Sequence, residues 1–195
     1  MSGLPDPPLL DLHRSAVLLG AYCALERALF ELTGALAADA GTGPAARVAL
    51  DAWSAEHAWH AELFADRLPL VADLDVHALV ELPAPAAHLL GRLSSEPPVE
   101  RLAGLVRVVL PRLVTTYRRH LRATSDAADG PTRRALRLVL RDEVEALVAG
   151  EALLEGCLDR PDQVERAGAV AVAVESALVR AEIGPGLVAW PDRRA

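Results

Sequence analysis

The sequence predicts an all-α protein: a four-helix bundle with one long crossover and an additional C-terminal helix. Three observations predict it. Apolar residues recur at helical spacing over long stretches, as in Leu18, Leu19, Tyr22, Leu25, Leu29, Leu32 and Leu36. Short Gly- and Pro-containing turns alternate with one long Pro-rich connection. Alternating β-branched or aromatic runs and Asn-Gly turns, the marks of strands and hairpins, are missing.

Residues 1–9 are Pro-rich and read as an N-terminal arm. Residues 10–183 form the helical bundle, and 184–195 an irregular tail in which Trp190 packs down. The first helix runs from about Leu10 to Ala40 and stops at AGTGP, where Pro44 suits the first turn of the second helix. The second ends near Leu68, before Pro69. Five prolines between 69 and 99 mark the crossover, which has room for one or two short helices. The third helix covers Glu100 to Thr124, and Pro111 inside it must kink or open it. The fourth begins after ADGP (128–131) and ends near Gly156; the fifth runs from Asp162 to Glu182. The turn DAGTGPAAR (39–47) matches DAADGPTRR (126–134) at a separation of 87, which also places Glu56 on Glu143. Two tandem helical hairpins, each with an acid in its second helix, are the expectation.

Composition narrows the function classes. At 195 residues with 52% apolar, the chain can bury a core without disulfides or a structural metal. No stretch of about 18 residues is free of charge, so no membrane helix is expected. The N-terminal residues lack a secretion pattern, and the two cysteines, Cys23 and Cys157, suit a reducing cytoplasm. Phosphate loops, dinucleotide fingerprints, serine-nucleophile elbows and helix-turn-helix signals are absent.

The informative residues are polar groups on apolar helix faces. Glu26 has Tyr22, Cys23, Leu29 and Phe30 three or four positions away, so it is expected inside the bundle. The second helix carries WSAEHAWHAELFADRLP (53–69). There His57 and His60 share a face, and so do Glu56 and His60; either pairing brings two ligands to one depth. Glu143 lies on a stripe with Leu136, Val139, Leu140, Ala146 and Leu147 and is expected inside, with Asp142 and Glu145 at the surface. In the third helix Arg112 shares a stripe with Leu105, Val108, Val109 and Thr116. His120 sits among basic residues and carries no assignment.

A helix with one inward Glu, a second reading Ala-Glu-x-x-x-His-Ala-Glu-Leu, a crossover, and a repeat with Arg-Asp-Glu resembles the ferritin-like superfamily. Within it, the sequence resembles actinobacterial ferritin-like proteins similar to the tRNA hydroxylase family. The resemblance covers most of residues 15–180 and implies two irons bound inside the bundle. Glu26, His60 and Glu143 match the family pattern. His57 stands where a Glu is expected, Arg112 or Leu113 replaces the Glu of helix three, and Ala146 replaces the second histidine. The expectation is a degenerated di-iron centre holding no cofactor. In it a buried cluster of Glu26, His57, His60, Arg112 and Glu143 has the Arg112 guanidinium in place of the cation. That makes the chain a non-catalytic structural, interaction or small-ligand-binding protein. The alternative is a non-haem iron oxidoreductase similar to the tRNA hydroxylases, with metal held by Glu26, His57, His60 and Glu143.

All 20 basic residues are Arg, and the net charge is −7. Residues 101–141 nevertheless hold ten Arg and two Asp. Of these, Arg118, Arg119, Arg122, Arg133, Arg134 and Arg137 flank the turn at 123–131. They read as a solvated, salt-bridging face, with contact to RNA as the sharper alternative that the resemblance adds. A homodimer through a bundle face is also expected.

Overall fold

The computed structural model describes residues 9–72 and 74–191. The Pro-rich arm, except Leu9, and the last four residues of the tail lie outside the described residues. The protein is all-helical, with no strand among the described residues, and no helix among them is long and apolar enough to cross a membrane.

Helix α1 (Leu12–Ala38) begins where Asp11 accepts a hydrogen bond from the Arg14 amide at 2.8 Å. Helix α2 (Pro44–Ala65) starts on Pro44 and packs back along α1. The crossover carries α3 (Val76–Leu79) and α4 (Ala84–Ser94), both laid against α1. Gly20 permits this: a Cβ there would come within 2.3 Å of the Leu79 carbonyl oxygen.

The third long segment is α5 (Pro98–Gly104), a π-helical turn (Leu105–Val109) and α6 (Leu110–Arg122), continuous with one another. Pro111 explains the π turn. Its ring has no N–H and crowds the carbonyl four residues back. The helix widens just before it, and the Leu110 amide reaches Leu105 O, five residues back. The predicted local opening is therefore a π turn. It inserts one residue and rotates everything after it by about 100° relative to an unbroken α-helix.

Helix α7 (Asp126–Cys157) packs along α6 and meets α2. Its backbone leaves helical geometry at Asp129 (φ −122°, ψ 22°), where the sequence predicts the turn before Pro131. Gly150 lets α7 approach the π turn, since an added Cβ would lie 2.8 Å from Val106. Helix α8 (Pro161–Arg180) packs on α5, α4 and the π turn. Glu182 and Gly184 take positive φ (54° and 79°) and turn the chain back across α6. The tail is stitched there: Thr116 Oγ1 accepts from the Leu187 amide at 2.9 Å, and Leu187 and Val188 are buried.

Candidate metal centre

Four predicted side chains converge at the centre: Glu26 from α1, His57 and His60 from α2, and Glu143 from α7. One ligand atom from each lies within 4.8 Å of the others. None of the four exceeds 3% exposure. The choice between Glu56 and His57 is resolved: His57 faces inward and Glu56 is exposed. The internal repeat therefore does not carry over to the site, because the residue matched to inward Glu143 points outward.

Glu26 uses its two oxygens differently. Oε2 faces the histidines, 2.6 Å from His57 Nδ1 and 3.6 Å from His60 Nδ1. Oε1 accepts a hydrogen bond from the Tyr117 hydroxyl. Burial alone would raise the Glu26 pKa, but the charge and hydrogen bonds of His57 and His60 hold it down to about 2. Burial likewise opposes the imidazolium forms. For His57 the charges of Glu143 and Glu26 prevail and raise its pKa. For His60 contacts with Glu143 and Glu26 push the pKa up to about 10.

Glu143 is the odd member. Its Oε1 sits 3.3 Å from His60 Nδ1 and 3.5 Å from His57 Nδ1. These are ion-pair distances, but neither Glu143 oxygen nor His60 Nδ1 makes a well-formed hydrogen bond. Burial raises the Glu143 pKa. Glu143 Oε1 and His60 Nδ1 thus meet as a buried ion pair of poor hydrogen-bond geometry, and Glu143 Oε2 has no partner of its own among the described residues. Two imidazoles and two carboxylates converging within 4.8 Å are a donor set with the size and chemistry of a metal site.

The outer contacts fit the same chemistry. His60 directs Nε2 to Asp142 Oδ2 at 3.3 Å. A carboxylate on the far nitrogen of a histidine fixes its tautomer and aims the near nitrogen at a metal. Tyr117 does the corresponding job for Glu26. The rings of Tyr22, Phe64 and Tyr117 pack at 4.9–5.3 Å between centroids and close the centre on the α1–α6 side.

Arg112 is not in this cluster, which corrects the expectation that a guanidinium occupies the cation's place. Its Nε and Nη2 donate to Glu175 of α8 at 2.8 and 2.6 Å, and its Nη1 donates to the carbonyls of Gly184 and Gly186 at 2.8 and 2.9 Å. The physical reason is the π turn. The stripe joining Arg112 to Leu105 and Val108 assumes an unbroken helix, and the extra residue rotates Arg112 toward α8 and the tail. The same rotation brings Leu110, Leu113 and Tyr117 inward.

Tyr117 and Asp142 contact the cluster, through Glu26 and His60, and sequence reasoning misses both. Pro111 was the available signal for Tyr117: advancing the helical phase by one residue there places Tyr117 on the inward stripe. Asp142 lies off the α7 stripe, as predicted, but is half-buried against His60. His120, unassigned from sequence, is fully buried between Tyr22 and Trp190, and burial lowers its pKa to about 4.

The other predicted Arg residues are partly tied up. Arg133 donates to Asp126 at 2.7 Å and to the carbonyls of Leu121 and Thr124, closing the α6–α7 turn. Arg137 pairs with Asp126 at 3.3 Å. The Arg119 guanidinium lies 4.3 Å over the Trp190 ring, which anchors the tail. Arg118, Arg122 and Arg134 are exposed. Comparison of the chain with known protein families, characterised proteins and solved structures gave no match. Fold and site together define a class, an all-helical protein with a buried two-histidine, two-carboxylate centre.

Proposed function

We propose that the protein is a metal-binding helical bundle of ferritin-like type. Its centre takes one divalent transition-metal ion through Glu26, His57, His60 and Glu143. The observation that carries this reading is the set of orphaned, inward-facing atoms on Glu143 and His60, within 4.8 Å of the other two ligands. Mixed imidazole and carboxylate donors suit iron, manganese or zinc better than calcium or magnesium, which favour all-oxygen sites.

The residues present do not fit the two irons implied by the resemblance. Helix three offers Tyr117 where a second carboxylate pair would be needed, and Ala146 offers no ligand. They fit one ion, whose two charges would balance Glu26 and Glu143 with both histidines neutral. When bound, such an ion supplies Lewis acidity and, if iron, one-electron redox capacity. The chain's own residues then have defined tasks. Tyr117 holds Glu26 by its outer oxygen, Asp142 orients His60, and the Tyr22–Phe64–Tyr117 rings keep water out.

Metal analysis tests this. Protein expressed in iron- or zinc-supplemented medium is expected to carry about one ion per chain, as for a structural or catalytic single-metal site. Glu143→Ala and His60→Ala are expected to lose it. A wild-type protein that stays metal-free under saturating metal, with its fold intact, would return the cluster to a purely structural role.

A further inference from the structure

The metal-binding reading leaves a question of access, and this inference rests on that reading. The four ligands are at most 3% exposed, so an ion needs a route to them. The α1–α6 side is sealed by the buried rings of Tyr22, Phe64 and Tyr117. The α2–α7 side is different. There Asp142 contacts His60 Nε2 at 3.3 Å while its side chain keeps 15% exposure. It touches a ligand on one side and solvent on the other.

Two further acids surround it. Glu56 and Glu145 are both exposed. Glu56 precedes His57 by one residue and His60 by four, so it lies on the α2 surface directly outside the ligands. Arg141 lies across the group, 3.5 Å from both Asp142 and Glu145, with its side chain 70% exposed. Behind the acids are the Glu143 oxygens, buried and without hydrogen-bond partners.

We propose that a divalent cation reaches the centre between α2 and α7, drawn in by Glu56, Asp142 and Glu145 and impeded by Arg141. A cluster of carboxylates over a low-dielectric wall raises the local cation concentration, and salt screens the effect. Exposed ion pairs such as those of Arg141 are weak, so thermal motion opens them readily. Arg141 therefore slows passage without blocking it.

The experiment is stopped-flow uptake of Co²⁺ by the chelator-stripped full chain, followed by visible absorption, with release measured against excess chelator. The double variant Glu56→Gln/Glu145→Gln is expected to take up Co²⁺ about five-fold more slowly at low ionic strength. Release is expected to slow in parallel, so affinity barely moves. Arg141→Ala should accelerate uptake, and wild-type uptake should slow as salt rises toward about 0.5 M. Stoichiometric binding with rates indifferent to all three changes overturns the route alone. So does a double variant with normal uptake and faster release, because the acids would then be ligands and not guides. Failure of the wild type to bind Co²⁺ stoichiometrically overturns the centre and the route together.

Discussion

Two buried polar assemblies occupy different faces of helix α6, and they differ in how completely their atoms are satisfied. At the Arg112 clamp, Nε, Nη1 and Nη2 each find an acceptor between 2.6 and 2.9 Å. The assembly is complete as it stands and fastens α8 and the tail to the third helix. At the centre, Glu26 is well held by His57 and Tyr117, while Glu143 and the near nitrogen of His60 have no hydrogen-bond partner. Burial of charge is common to both, so it does not separate structure from function. Satisfaction does: the network of the clamp is complete and fastens the fold, whereas the incomplete one at the centre is where we propose that a metal binds.

Variants at the two central carboxylates test that contrast most severely. In metal-free protein, Glu26→Leu removes the partner of His57 and Tyr117. It should destabilise by about 3–5 kcal/mol in urea unfolding, the range for stranding a buried charge. Glu143→Gln should shift the same transition by clearly less than Glu26→Leu, because it removes no well-formed hydrogen bond and leaves both histidines beside the Glu26 carboxylate. The same variant should lose stoichiometric metal. Equal destabilisation by both changes would erase the distinction between a held and a waiting carboxylate.

Adding metal is the next largest effect. At about 100-fold excess over its Kd an ion that binds only the folded state stabilises by about 2.7 kcal/mol. Wild type and Arg112→Met should both gain this increment in a thermal melt, and Glu143→Gln should not. A gain confined to wild type would couple two assemblies that the geometry separates.

How much of this was legible beforehand depends on helical phase. Glu26, His57, His60 and Glu143 sit in or near uninterrupted helical stretches, where i, i+3 and i, i+4 neighbours report the buried face reliably. Arg112 and Tyr117 follow Pro111, and a π turn shifts the phase by one residue. That single shift misplaces Arg112 and hides Tyr117 from periodicity. Asp142 could not be found by periodicity, since its role comes from contact across helices with His60, 82 residues away. The turn at Asp129–Pro131 was readable from its Gly and Pro, though α7 begins earlier, at Asp126.

His120 tests whether an unpartnered nitrogen suffices to mark a site. Its Nδ1 is also buried without a partner. Among the described residues its neighbours are Ser15 and the rings of Tyr22 and Trp190, with no carboxylate paired to it. It is therefore expected to stay neutral and empty. Its pKa lies near 4 in the folded state, below the ordinary 6.5, so the unfolded chain binds the proton more readily between those values. Its contribution to stability is complete above pH 6.5 and is lost as pH falls toward 4. The loss at pH 4.5 should be about 2–3 kcal/mol, and His120→Phe should remove that part of the acid sensitivity. Stoichiometric metal lost in His120→Phe, with the central cluster intact, would show that an orphan atom alone is enough.

The smallest effects are expected at the clamp and should follow exposure. Arg112→Met leaves two tail carbonyls and Glu175 without their donor, and should cost about 1.5–2 kcal/mol, as for hydrogen bonds to a charged group. Glu175→Gln keeps the carbonyl contacts and one acceptor. The Glu175 side chain is 48% exposed, so water replaces much of what is lost, and the cost should stay below about 1 kcal/mol. Neither variant should alter metal content or Co²⁺ uptake. A change in either would mean that the tail, through Thr116 and α6, sets the position of Tyr117 against Glu26. The π turn would then transmit strain between the two assemblies instead of only setting their phase.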